Sequence, residues 1–181
     1  MWSGDTSDEE YDVEEPSSLP DRFLWATSKG KLDVVKEILQ QDKSVISFSD
    51  GDGYTALHKA CSEGYVEIAK FLLSKNANVH ARTIDGWTPL HSACRWNETE
   101  IAKVLIDNGA DINALSNGNL SPLHVAAAEK TTRDIMVLLL HCKDIDVHIK
   151  SNAGDTALDL SKRFNSFSSL FEIVEKHVNE F

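Results

Sequence analysis

The chain has 181 residues, 41% hydrophobic and 26% charged, with 29 acids against 18 bases and a formal net charge of −11, the makeup of one globular domain plus a charged segment. No apolar run approaches the roughly 18 residues of a membrane span, and the start, MWSGDTSDEE, has neither the basic nor the apolar stretch of a secretory signal, so the expectation is a protein of the nucleus and/or cytoplasm with no membrane partner. The acidity also argues against nucleic acid as a partner, because a phosphate backbone selects basic surfaces.

The charge is uneven along the chain. Residues 1–20 hold seven acids and no base, leaving 22 acids against 18 bases, a net of −4, for residues 21–181. A block that repels itself and has little to bury is expected to be a disordered leader, with the folded domain over 21–181. Within the leader, Ser7-Asp8-Glu9-Glu10 is a candidate phosphorylation site at Ser7, where phosphate would add roughly −1.5 to −2 charges.

From residue 21 onward the pattern is helical and repeats. Leu24, Trp25, Ala26, Gly30, Val34, Val35, Ile38 and Leu39 predict a helix, a tight turn and a second helix over 21–51. Next come Thr55-Ala-Leu-His-Lys-Ala, Thr88-Pro-Leu-His-Ser-Ala, Ser121-Pro-Leu-His-Val-Ala and Thr156-Ala-Leu-Asp-Leu-Ser, spaced 33, 33 and 35 residues apart. They define units at 52–84, 85–117, 118–152 and 153–181. Each motif reads as a helix start: the hydroxyl residue caps, and proline at the first helical position loses only an N–H that would be orphaned anyway. In the last unit Asp159 replaces the histidine, and an acid three residues after Thr156 suits a capping box. Gly64 and Asn97, nine residues after their caps, predict left-handed helix ends. Second helices follow around Ile68, Ile101 and Ile135. Unit 118–152 carries two extra residues, near Thr131-Thr132 and near Asp144-Ile145.

The 33-residue period and the T-P-L-H-x-A motif resemble the ankyrin-repeat family over nearly all of residues 21–181. The resemblance implies an all-α solenoid of helix-turn-helix units joined by short hairpin loops, five units in all, with degenerate caps at 21–51 and 153–181. It also implies a monomeric, non-enzymatic adaptor that binds a protein partner on its concave surface. A narrower likeness to one branch of the family, carried by the acidic leader, DGWTPLHSACRWN and SLFEIVE, implies a setting in transcriptional regulation. An alternative is a chaperone-like or assembly role in which the acidic leader engages a basic client.

Three histidines and two cysteines, His58, His91, His124, Cys61 and Cys94, could suggest zinc. Equivalent helices of stacked repeats lie about 8–10 Å apart, whereas ligands of one zinc ion lie within roughly 4 Å of each other, so the histidines are expected to serve their own caps and the cysteines to be buried thiols. With three scattered cysteines, no nucleophile elbow, no metalloprotease motif and no phosphate loop, neither catalytic residues, nor a metal, nor a cofactor is expected. The candidate partner-binding residues are Tyr54, Trp87 and Leu120, just before the caps; Arg82, Ile84 and Asp85, on a hairpin; and Arg95 and Trp96, along the face of a first helix. Lys59, Ser92, Val125 and Glu129 are expected on the same face. Aromatic residues and arginine are the composition of binding hot spots, and the two indoles of DGWTPLHSACRWN are the strongest candidates.

Overall fold

A computed structural model of the chain describes residues 15–172. Most of the acidic leader, including Ser7, and the end of the last unit lie outside the described residues. The elements are α1 (Leu19–Ser28), α2 (Leu32–Gln41), α3 (Ala56–Ser62), α4 (Val66–Ser74), α5 (Pro89–Arg95), α6 (Thr99–Asp107), α7 (Pro122–Ala127), α8 (Arg133–Leu140) and α9 (Ala157–Phe164), with short 3-10 helices at Lys43–Ser47 and Ser168–Phe171. Among the described residues there is only an isolated bridge between Ser49 and Thr55 and no strand. The helices pair antiparallel and stack in two rows. The inner row is α1, α3, α5, α7, α9, and the outer row is α2, α4, α6, α8, closed by the second 3-10 helix. This is the all-α ankyrin solenoid expected from the repeats.

Local chemistry sets the helix boundaries. The first helix begins at Leu19, two residues before the expected domain start, because Ser18 caps it by accepting from the Asp21 N–H and Pro20 sits within its first turn. Thr55, Thr88, Ser121 and Thr156 all stand in extended conformation at the N-caps of α3, α5, α7 and α9. Inner helices end where expected: Gly64 and Asn97 have φ of 78° and 60°, the left-handed conformation that turns the chain into the outer helix. The extra residue near Thr132 replaces that device. There the wider turn is held by buried Thr132, whose hydroxyl donates to the Ala126 carbonyl, and by Asn165, whose amide donates to the carbonyls of Ala127 (2.8 Å) and Glu129 (3.0 Å).

The core runs between the rows as one cluster from Phe23 to Phe171, with Leu57, Leu90 and Leu123 repeating inside the inner helices and Leu72, Leu105 and Leu139 inside the outer ones. Each such leucine contributes roughly 1.5–3 kcal/mol by leaving water. Since no unit buries its apolar faces alone, the stack folds by nearest-neighbour contact.

Backbone hydrogen bonds also tie the hairpin tips together. The Ile84 N–H donates to the Asp52 carbonyl, the Asn117 N–H to Asp85 and the Asn152 N–H to Gly118, each at 2.9 Å. Gly86 shows how tight this ladder is: its φ is 77°, and a Cβ there would lie 2.6 Å from the Asn117 side-chain oxygen. The tips therefore form a preorganised edge beside the inner helices.

Candidate partner-binding surface

The capping histidines fix where the concave surface can be. In each of units two to four the cap residue's N–H donates to its histidine Nδ1, at 3.2 Å for Thr55–His58, 3.1 Å for Thr88–His91 and 3.2 Å for Ser121–His124. An Nδ1 that accepts leaves the proton on Nε2. That nitrogen donates into the next unit, to the carbonyls of Trp87 (3.0 Å), Leu120 (2.9 Å) and Asp155 (3.2 Å). One imidazole thus closes its own helix start and staples it to the following repeat. Burial lowers the pKa of His58 and His91 to about 4 and lowers that of His124 as well.

Both nitrogens of each of these three rings are thus engaged. Among the described residues no three His, Cys, Asp or Glu side chains come together as a metal site. Cys61 and Cys94 are fully buried, and desolvation pushes both thiols up, away from the reactive thiolate. A strong chelator is expected to leave the thermal unfolding midpoint unchanged; a fall of several degrees would reveal a stabilising ion.

The residues anticipated as one exposed face divide into three sets. Ile84 and Trp96, 67% and 59% exposed, project into solvent, and Asp85 is exposed beside Ile84. Tyr54, Trp87 and Leu120 are half-buried on the core or against the histidines; Tyr54 meets His58 edge-on at 5.6 Å between ring centroids, and the Trp87 ring lies 6.0 Å from His91. Trp87 is thus the less exposed of the two indoles expected to face a partner. Ser92 and Val125 are corrected: both are buried, at 2% and 6% exposure. They stand four residues after their caps, where in these two units the neighbouring inner helices cover the side chain.

The basic candidates are spoken for. The Arg82 guanidinium donates to the Leu115 carbonyl one repeat on, bridging two hairpins. Arg95 pairs with Glu129 at 2.8 Å and lies 5.4 Å from the Trp96 ring centroid, a cation–π contact that steadies the exposed indole. Lys59 pairs with Asp50 at 2.8 Å and covers Tyr54.

One residue was missed. Phe164 is 45% exposed at the end of α9, with Arg163 at 5.8 Å from its ring. It falls eight residues after Thr156, as Trp96 falls eight after Thr88. Alignment of the repeats would have found this second Arg-aromatic pair. Glu129 holds the same place in the unit between them, eight residues after Ser121. The exposed face is thus two aromatic side chains two repeats apart, roughly 16–20 Å at stacked-helix spacing, with an arginine–glutamate pair between and Ile84 on the adjoining tip.

Comparison with known proteins agrees with this architecture. A family model described as "Ankyrin repeats (3 copies)" matches residues 23–116; the helix pairs continue beyond it. The chain is 44% identical to the human "Ankyrin repeat domain-containing protein 49", with 99% of this chain and 80% of that protein covered, and the bovine protein of the same name gives the same figures. The Drosophila melanogaster protein of that name is 38% identical over 42% of this chain and 36% of its own length.

Proposed function

The chain belongs to the ankyrin-repeat family, a family of protein–protein interaction modules, and from that premise we propose that it is a non-enzymatic adaptor whose partner docks on the concave face around Trp96. The observation that supports this reading is that Ile84, Trp96 and Phe164 are the large apolar side chains left exposed among the described residues. Large exposed apolar groups rimmed by charge mark interaction sites. The rigid tip ladder means that little ordering entropy opposes binding. A setting in transcriptional regulation, in nucleus or cytoplasm, belongs to the same proposal and rests only on the narrower likeness read in the sequence.

Photo-crosslinking tests the face. A photoreactive residue placed at Ile84 or Trp96 is expected to capture the partner, whereas one at Lys103, exposed on outer helix α6, is expected not to. Capture from Lys103 alone would move the interface to the convex side. Loss of capture at high salt or on removing the acidic leader, with Trp96 irrelevant, would instead favour the reading in which the leader engages a basic client.

A further inference from the structure

The convex side of the first two units carries a groove of about 390 Å³ between the C-terminal ends of α2 and α4. Its floor is apolar, from Leu39, Ile46 and Phe71, and its rim carries Lys36, Lys43 and Lys75, with no acid among the lining residues. In a chain of 29 acids and 18 bases that lining is unusual. The three lysines are committed to little: Lys75 lies over the Phe71 ring at 5.5 Å, Lys36 approaches Asp33 at 3.8 Å, and no ion pair involves Lys43 or Lys75 among the described residues. A second groove of about 450 Å³ further along, between α6 and the loop after α8, is lined by Asp111, Asp144 and a single Lys143. Outer-row grooves are thus not basic by architecture.

We propose that this groove is the docking site for the first 14 residues of the chain's own acidic leader. Three observations converge on that occupant. The first is charge: residues 1–14 hold six acids and no base, matching a rim of three lysines. The second is pattern. The stretch DEEYDVE at 8–14 alternates acids with Tyr11 and Val13, so one extended segment can set an aromatic or apolar side chain on the Leu39–Ile46–Phe71 floor while its neighbours reach the ammonium groups.

The third is position. The leader joins the fold at Glu15, which is ion-paired with Arg22 at the start of α1. α2 runs back antiparallel to α1, and the 3-10 helix that follows it touches α1. The C-terminal end of α2, and the groove with it, therefore lie at the end of the stack where the leader joins. Two helix spacings of about 8–10 Å separate α1 from the far wall on α4, well within the roughly 46 Å that 14 extended residues can span. Docked there, the leader covers the convex face of the first two units and leaves the concave face around Trp96 open. The two surfaces can then fail or hold separately.

Carbodiimide crosslinking of the full chain, which joins a lysine to a carboxylate only at direct contact, tests the proposal by mass spectrometry. Crosslinks from Lys36, Lys43 and Lys75 to residues 5–14 are expected several-fold above those from Lys29 or Lys103, both exposed, and are expected to vanish at about 1 M salt, where the screening length is about 3 Å. In the double variant Lys43→Glu/Lys75→Glu, the remaining crosslink from Lys36 should fall several-fold while the unfolding midpoint holds, since both replaced side chains are exposed. Equal crosslinking from all exposed lysines would overturn the proposal. So would crosslinks found only between copies in a mixture of isotopically light and heavy protein, which would make the occupant a second chain, and so would a Lys36 yield unchanged in the double variant.

Discussion

Unfolding free energy should fall by about 2 kcal/mol for each of His58 and His91 as pH drops from about 7 to about 5. Both imidazoles are buried, and burial holds them near pKa 4 against an ordinary value of 6.5. Because the folded pKa lies below the unfolded one, the unfolded chain takes up protons first. Stability is therefore full above about pH 6.5, declines below it, and stops declining on this account only near pH 4, where the folded histidines protonate too. Geometry agrees with the direction: a proton on Nδ1 would face the cap N–H, already a donor at 3.2 Å from His58 and 3.1 Å from His91. His124 is shifted the same way and adds to the decline. Denaturant unfolding at the two pH values measures it, and His91→Gln should flatten the dependence by about one histidine's share. Equal stability at both pH values would mean that the imidazoles can charge without breaking the staple.

The last unit shows why histidine is used only where a repeat follows. Asp159 accepts from the Thr156 N–H (3.0 Å) and hydroxyl (2.7 Å), bonds that hold its carboxyl below the usual carboxylate range. It performs the cap without an Nε2 to donate onward, and among the described residues no further hairpin stands beyond it. This much was legible, because period and capping chemistry are both local. The burial of Ser92 and Val125 was less so. Lys59 occupies the same place in its unit yet is only half-buried, and the local pattern around a helix end does not say how closely the neighbouring helix approaches. The pairing of Arg82 and Arg95 was hidden for a related reason: their partners, Leu115 and Glu129, lie 33 and 34 residues on, one repeat away, where a linear reading sees no contact. Once the units are superposed, that same period predicts both pairs, and it predicts Phe164 from Trp96.

Replacing the two tryptophans of the third unit by alanine should separate scaffold from recognition. Trp87→Ala is expected to lower stability by about 2 kcal/mol, somewhat under the ~3–5 kcal/mol of a fully buried aromatic, because the indole is only half-buried on the core. The staple from His58 should survive, since it ends on the Trp87 main-chain carbonyl. Trp96→Ala should cost under about 0.5 kcal/mol, as for an ordinary surface position: the ring is 59% exposed and its recorded partner is Arg95. For binding the order reverses. Trp96→Ala should weaken the partner complex by about 2 kcal/mol or more, and Trp87→Ala by less than about 1 kcal/mol once the unfolded fraction is accounted for. Arg95→Ala should fall between, because it frees Glu129 and releases the indole from its cation–π contact without removing the apolar anchor. Denaturant unfolding and titration with the captured partner, run on the same three proteins, give both axes. If Trp96→Ala binds as tightly as the parent chain while Trp87→Ala binds poorly at full folding, the partner reads the base of the hairpin rather than the helix end, and the hot spot shifts toward Tyr54, Trp87 and Leu120.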